Sequence, residues 1–241
     1  MTLWPDLTIA ALALLFAGFS RGFSGFGAAL IAMPVLAILY GPVEGVVIMT
    51  LLEVPAMAML LPSVARNADW RAIMSLGLAP LVTIPLGPVV VVWLCTESLQ
   101  RVIGVLVLIF AFLLATGWRY KRAPTLPVLL GVGGLSGIVG GAANMSGPWL
   151  VVFLLAGSNS AREVRSGVMA YFSFATLLRV AVYTAYGFYS MSLLLLSLTL
   201  LLPSLAGIWA GSHLFQGVSD RFFRYAVLVL VAAMGIVALV W

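Results

Sequence analysis

RYKR, residues 119–122, is the densest basic cluster in this 241-residue chain and lies almost at its middle. The rest of the sequence holds little charge, since 63% of the residues are hydrophobic and only 8% are charged. A soluble domain carries about 25% charged residues. Clusters of Lys and Arg beside apolar segments are typical of cytoplasmic loops in membrane proteins. The cluster therefore predicts a cytoplasmic loop between two membrane-embedded halves, residues 1–122 and 123–241.

The apolar segments between the charged loops are long enough to cross a membrane. A helical span needs roughly 20 apolar residues, and six segments reach this length: 43–63, 70–93, 98–118, 164–187, 190–215 and 220–240. The weaker, alternating segments of a transmembrane β-barrel are absent from the sequence. The predicted fold class is an all-α, polytopic membrane protein. The first apolar run has no Lys or Arg before it, so we expect it to be retained rather than cleaved as a signal peptide.

Two blocks of sequence occur twice, in the same order. GFSRGFSGFGAALIAMPVL (18–36) and GGLSGIVGGAANMSGPWLVVFL (133–154) are each Gly-rich and continue through a Pro into an apolar run. LGPVVVVWLCTESLQRVIGVLVL (86–108) likewise resembles AGIWAGSHLFQGVSDRFFRYAVLVL (206–230). Glycine and other small residues are common in membrane helices without any repeat, but two matching blocks favour an internal repeat.

Each Gly-rich opening divides an apolar segment into two short arms. The arms are residues 7–20 and 27–39 in the first half, and residues 127–139 and 146–157 in the second. At 1.5 Å per residue an arm covers only about 20 Å, which is less than the hydrocarbon core of roughly 30 Å. Each pair is therefore either one interrupted helix or a hairpin that returns to the side where it began.

Positive charge distinguishes these two arrangements. If each opening pair is a hairpin, then Arg101 faces outward and nine other basic residues face the cytoplasm, namely Arg66, Arg71, Arg119, Lys121, Arg122, Arg162, Arg165, Arg221 and Arg224. If each pair crosses once, the second half is reversed and the same ten residues divide five against five. The positive-inside rule favours the first arrangement. We therefore predict two inverted-topology repeats, each a broken or re-entrant helix pair followed by three transmembrane helices, with both termini outside.

Three charged residues fall inside the predicted membrane region, where a charge is costly and usually functional. Arg21 lies in the first Gly-rich break, where its guanidinium either binds an oxyanion or clamps a helix end. Arg179 lies among apolar residues in segment 164–187 and either contacts the substrate or snorkels to the interface. Glu53 is a candidate for proton coupling, and its alternative role is a fixed ion pair with one of the arginines.

The two breaks are themselves candidate substrate-binding elements. Each precedes a short helix, whose free N–H groups favour an anion, and transporters with inverted repeats bind their substrates near the midplane at such breaks. The alternative is that the small residues only allow close helix packing. The predicted substrate-binding residues are Arg21, Ser24, Gly25, Gly27, Gly141, Asn144, Ser146 and Arg179.

Several other classes of function have no support in the sequence. One cysteine, Cys95, and one histidine, His213, cannot form a zinc site or an internal disulfide. No nucleotide-binding loop or catalytic triad is present, so we expect no catalytic residue, no metal and no cofactor. The net charge of +5 is expected to face anionic lipid rather than nucleic acid.

The Gly-rich opening that leads through a Pro into a short helix, once in each half, resembles the TauE/SafE family of sulfite and sulfonate transporters. The resemblance rests on GFSGFGAALIAMPVL (22–36), on GIVGGAANMSGPWLVVFLL (137–155), and on the Leu- and Gly-rich segments before Arg101 and Arg221. It covers nearly the whole chain. It implies export of sulfite or a small organosulfonate across the bacterial inner membrane.

The residues alone predict an anion transporter, and the sulfur in the substrate comes only from the resemblance. An uncoupled anion channel is one alternative, because it would use the same pore. A membrane-embedded enzyme that acts on lipid is another, with Glu53 as its only candidate acid. The composition is equally compatible with a monomer and with a homodimer.

The charge distribution generates a testable topology. We expect a periplasm-specific reporter fused after Trp241 to be active, and the same reporter inserted at residues 119–122 to be inactive, because the basic loop is held in the cytoplasm. Activity of a cytoplasm-specific reporter at Trp241 would contradict the inverted arrangement.

Overall fold

The computed structural model describes residues 4–64, 70–89, 125–156 and 160–216, together with 218–219, 221–223, 225–226 and 229, and within these ranges it is helical without strands. In chain order the helices are α1 Trp4–Ser24, α2 Ala28–Tyr40, α3 Pro42–Val64, α4 Trp70–Thr83 with a 3₁₀ turn at Ile84–Leu86, α5 Leu126–Ala143, α6 Gly147–Ala156, α7 Ala161–Ala185 and α8 Met191–Phe215.

Five of these helices are long and apolar enough to cross a membrane: α1, α3, α5, α7 and α8. The predicted segments 43–63, 164–187 and 190–215 correspond to α3, α7 and α8. The chain is therefore a multi-pass membrane protein. Several predictions lie outside the described residues: the RYKR loop and the boundary at residue 122, segment 98–118, the end of 70–93, most of 220–240, Cys95, Arg66, Arg101 and Arg224.

Serine side chains cap the starts of α7 and α8. The Ser160 hydroxyl accepts a hydrogen bond from the Glu163 N–H, and the Glu163 side chain accepts one from the Ser160 N–H, so α7 begins with a capping box. The Ser190 side chain accepts a hydrogen bond from the Leu193 N–H at the start of α8. The capping box explains why α7 begins three residues before the predicted segment.

The two breaks are present but narrower than predicted. α1 continues to Ser24 and ends where Gly25 adopts φ +89°, a left-handed conformation that glycine reaches without strain. α5 continues to Ala143 and ends at Asn144, which adopts φ +57°. The prediction that every opening arm is too short to span is therefore wrong for α1 and α5, which have 21 and 18 residues. α2 and α6 are short, with 13 and 10 residues.

The glycines at the end of α1 remain helical because another helix packs directly against them. A Cβ atom at Gly18 would overlap the carbonyl oxygen of Ser204, and one at Gly22 would overlap that of Ile208. The contact is reciprocal, because Gly207 and Gly211 of α8 have the same relation to carbonyl oxygens of α1. Each helix thus presents a Gly-xxx-Gly stripe, a spacing that lets membrane helices approach backbone to backbone.

A second contact of the same kind joins α5 to α4. A Cβ atom at Gly133 would overlap the carbonyl oxygen of Leu76, one at Gly137 would overlap the Thr83 hydroxyl, and one at Gly141 would overlap the carbonyl oxygen of Ile84. These glycines also lie at four-residue intervals and form one stripe. The sequence predicted Gly140 and Gly141 as part of the break, but both are helical, and Gly141 belongs to this stripe.

The helices are arranged around α3 and α7, which pack against each other. α1 packs against both α2 and α8, α2 continues the packing onto α3, and α3 also contacts α8. On the other side α4 contacts α5 and α7, and α6 contacts α5 and α7. Because α1 packs against α2, the chain turns back at the first break. The short helices α2 and α6 contact the central pair, α2 through α3 and α6 through α7.

The glycine stripe of α5 gives a stability prediction with an adjacent control. Gly133→Ala is expected to lower the apparent melting temperature in detergent, because forcing a methyl group into a filled contact costs about 1–3 kcal/mol. Gly134→Ala should keep or raise it, since its Cβ would lie 3.8 Å from Ala79 Cβ in ordinary contact. Equal losses in the two variants would contradict the close approach of α4 and α5.

Candidate functional site

Three charged side chains that lie far apart in sequence meet at the centre of the fold. Glu53 of α3 is 3% exposed, Arg21 of α1 is 5% exposed, and Arg179 of α7 is fully buried. Arg21 Nη1 donates a hydrogen bond of 2.6 Å to Glu53 Oε1. Arg179 Nη2 donates to the other carboxylate oxygen, Oε2. One carboxylate therefore bridges two guanidinium groups, one from each half of the chain.

A threonine completes the ligation of this carboxylate. Thr176 Oγ1 donates to Glu53 Oε2 at 2.7 Å and accepts a hydrogen bond of 3.0 Å from Arg179 Nη2. Thr176 and Arg179 are three residues apart, so they project from the same face of α7. Thr176 is not among the residues predicted from the sequence, although its three-residue spacing from Arg179 is a signal that identifies it.

The cluster has more positive than negative charge and more donors than acceptors. Two arginines share one carboxylate, so the three groups carry a net charge of +1 when all are ionised. Arg21 Nε, Arg179 Nε and Arg179 Nη1 are buried and make no hydrogen bond within the described part of the chain. A buried donor without an acceptor is costly, which marks this position as one that an anion would stabilise.

The second break lies directly beside the free side of Arg179. A Cβ atom at Gly140 would overlap Ser146 Oγ and lie 3.5 Å from Arg179 Nη1, so glycine at this position lets both side chains pack against α5. The break itself is braced by a reciprocal pair of hydrogen bonds. Ser136 Oγ donates to the Ser146 carbonyl oxygen at 2.8 Å, and Ser146 Oγ donates to the Ser136 carbonyl oxygen at 2.9 Å.

Asn144 closes α5 and carries an unused polar side chain. Its backbone N–H donates to the Gly140 carbonyl oxygen at 3.0 Å. Its side chain is only 2% exposed, and neither amide atom has a hydrogen-bond partner among the described residues. Buried side-chain amides normally have partners, so Asn144 is a second group at this break with free donor capacity.

The first break presents the buried start of a helix. Gly27 begins α2 without a side-chain cap, and Ala28, Ala29 and Leu30 behind it are buried. Ser24 Oγ is already engaged, since it donates to the Ser20 carbonyl oxygen at 2.8 Å. The free N–H groups at the start of α2 carry partial positive charge and favour an anion.

A narrow cleft joins this helix start to the charged cluster. Its empty space is about 260 Å³, including space open to the outside, and it is lined by Arg21, Ala28 and Glu53 together with α8 residues Ser204 and Ile208. The cleft as a whole has room for about one water molecule. Through this cleft Arg21 is therefore accessible to water but not to a larger solute in this conformation.

The two breaks touch each other around an aromatic side chain. A Cβ atom at Gly147, the first residue of α6, would lie 3.2 Å from Phe26 Cβ and 3.4 Å from Phe172 Cζ. The Arg21 guanidinium lies over the Phe172 ring at 5.4 Å from its centroid, a cation–π contact. The fold thus brings both breaks and all three charged residues into one region.

A family model described as sulfite exporter TauE/SafE matches residues 10–238. The chain belongs to the TauE/SafE family. Comparison with curated proteins and comparison with solved structures give no match. The family assignment covers all eight described helices except the first six residues of α1, and it confirms the resemblance that the two Gly-rich openings carry.

Arg165 has a different role in this TauE/SafE protein from the one its sequence position predicted. It is buried in the second turn of α7 rather than free in a cytoplasmic loop. Its Nε and Nη2 donate to the Gly22 carbonyl oxygen at 3.2 and 2.7 Å, and its guanidinium lies 4.4 Å from the centroid of the Phe215 ring. Arg165 therefore clamps the end of α1, the structural role that the sequence offered as the alternative for Arg21.

The remaining predicted residues lie in the same region with local roles. Gly25 packs against Arg165, and the Gly141 carbonyl oxygen accepts a hydrogen bond of 2.9 Å from the Tyr183 hydroxyl. Arg179 does not snorkel, because it is fully buried against Glu53. Within the described ranges no three metal-ligating side chains lie close enough together to hold an ion.

Proposed function

We propose that the protein exports a small sulfur oxyanion, sulfite or an organosulfonate, across the bacterial inner membrane. The observation that carries the proposal is the buried Arg21–Glu53–Arg179 cluster with its free guanidinium donors. Membership of a family of sulfite exporters supports the choice of anion and of direction. In this proposal the substrate lies near the midplane between the two breaks.

The chemistry of the free donors suits an oxyanion. Arginine presents a planar fork of N–H groups that matches two oxygens on one central atom. Arg179 Nη1 lies beside Gly140 near the end of α5, and the unused amide of Asn144 belongs to the break that follows this helix. Sulfite and sulfonates offer several oxygens to these donors, and the partial positive charge at the start of α2 adds to the attraction.

The pattern of helix contacts supports inverted repeats as part of this proposal. Exchange of α1 with α5, α2 with α6, α3 with α7 and α4 with α8 converts each main contact into another observed contact. The pair α1–α8 becomes α5–α4, α2–α3 becomes α6–α7, and α3–α8 becomes α7–α4. The central pair α3–α7 is converted into itself. Two repeats that rock about this pair would open the closed arginine cluster to either side in turn.

Reconstituted protein tests transport directly. We expect proteoliposomes that contain the wild-type chain to show saturable sulfite flux and those with Arg179→Ala to show none. Flux that rises linearly with sulfite over the whole accessible range would favour the uncoupled anion channel instead.

Binding measurements separate substrate arginines from structural ones. Arg21→Ala and Arg179→Ala are expected to weaken sulfite binding by roughly tenfold to a hundredfold, since a hydrogen bond to a charged group contributes about 1.5–3 kcal/mol. Arg179→Lys should recover part of the affinity, because Lys lacks the planar fork. Calorimetric titration of the purified variants provides the measurement.

Arg165→Ala is the matched control for this series. It removes a buried arginine whose donors are taken by the protein itself, so melting temperature should fall while sulfite affinity stays near that of the wild type. Wild-type affinity in both Arg21→Ala and Arg179→Ala would remove these two residues from the proposed site.

Proton coupling through Glu53 gives a further prediction. Export of an anion is already favoured by a negative interior, by about 2.3 kcal/mol per charge per 100 mV, so a proton is not required to drive it. If Glu53 takes up a proton during the cycle, Glu53→Gln should flatten the pH dependence of flux, because glutamine cannot ionise. The substrate should be a sulfonate without other titrating groups, so that its own charge is constant.

Glu44→Gln is the control for the pH profile, since Glu44 lies exposed at the start of the same helix. It should retain the wild-type profile. A wild-type profile in Glu53→Gln as well would show that Glu53 does not handle the transported proton and is a fixed partner of the arginines.

A further inference from the structure

We infer that Glu53 is a built-in substitute for the transported anion. Its carboxylate occupies the position between Arg21 and Arg179, and the substrate takes this position by displacing the carboxylate. The site then selects anions with two acceptor oxygens on one central atom. This inference rests on the proposed function, because it concerns the same site. It adds that the Glu53 carboxylate competes with the substrate for the two arginines.

The geometry of the ion pairs is that of an oxyanion bound by two arginines. Each carboxylate oxygen of Glu53 accepts from a different guanidinium, Oε1 from Arg21 and Oε2 from Arg179. Thr176 adds a neutral donor to Oε2 at 2.7 Å. A sulfite or sulfonate presents the same pair of oxygens on one atom and can make the same bonds. A halide is a single point and cannot satisfy both arginines in this way.

Substrate and carboxylate cannot occupy this position together. The cleft beside Arg21 and Glu53 admits about one water molecule, and both arginines are buried in contact with the carboxylate. An incoming oxyanion must therefore release Glu53 from at least one guanidinium. Arg21 lines the cleft and has a free Nε, so it offers a first contact before this exchange takes place.

The exchange also has a structural consequence. Glu53 ties Arg21 at the end of α1 to Arg179 in the middle of α7, so its carboxylate connects the first helix hairpin to the second half of the chain. When the substrate displaces the carboxylate, the arginines lose a partner that is part of α3 and gain one that can dissociate. Binding is thereby coupled to release of the two halves from each other.

Chemical rescue of Glu53→Ala tests the inference. The variant leaves two buried arginines facing an empty space, so its apparent melting temperature should fall well below that of the wild type. Formate and sulfite, added separately, should raise it by several degrees in a saturable manner, because each binds the native state. Chloride at the same ionic strength should have no such effect.

Glu163→Ala is the matched control. It removes a glutamate that stabilises the start of α7 through the capping box but pairs with neither arginine of the cluster. Its melting temperature should fall as well, and neither formate nor sulfite should restore it. Rescue of both variants to the same extent would show a general salt effect and would overturn the inference.

Glu53→Gln supplies an independent measurement that does not depend on an empty cavity. With the competing negative charge removed, sulfite should bind at least tenfold more tightly than in the wild type. Affinity equal to or weaker than that of the wild type would overturn the inference. So would failure to recover folded Glu53→Ala and Glu53→Gln when both are purified in formate.

The outcomes for the inference and for the proposed function are distinct. Rescue by formate without sulfite flux in the wild type would retain the built-in anion and reject sulfite export. Saturable sulfite flux in the wild type without rescue of Glu53→Ala would retain the transporter and reject the built-in anion.

Discussion

The bridge that Glu53 makes between Arg21 and Arg179 is the interaction on which the rest of the fold depends. Charges at membrane depth are tolerated only when they are paired or face a polar cavity, and loss of one partner from a buried pair costs about 3–5 kcal/mol. The bridge joins α1, α3 and α7, so the three helices cannot separate without exposing charge to lipid or to apolar side chains. The three groups of the bridge carry a net charge of +1 when all are ionised. An anion bound beside them would neutralise this charge and thereby stabilise the fold.

The glycine contacts determine where the charged groups lie. Stripes on α1 and α8, and on α5 facing α4, let these helices meet at backbone distance. The close approach brings the end of α1 under Arg165, which holds the Gly22 carbonyl oxygen, and it sets Arg21 one residue earlier toward Glu53. The glycines therefore position the arginines as well as allow packing.

Much of the architecture follows from sequence, whereas the roles of the arginines do not. Long apolar segments predict α3, α7 and α8, and the isolated charges at Arg21, Glu53 and Arg179 identify the central cluster. The sequence places the ends of α1 and α5 too early. Glycine breaks an isolated helix, but it remains helical where another helix backbone packs directly on it. Arg165 was assigned to a loop because only tertiary contacts separate a clamp from a surface cation.

The contact between α1 and α8 also constrains how the protein is assembled during synthesis. Its two glycine stripes lie near residues 20 and 210, so the first helix enters the bilayer long before its partner has been translated. Until then the stripe on α1 lacks its partner in α8, and the Gly22 carbonyl oxygen lacks Arg165 until α7 has been made. Contacts of such long sequence separation form late and leave partly assembled chains exposed. The helix that begins the chain is therefore among the last to reach its final packing.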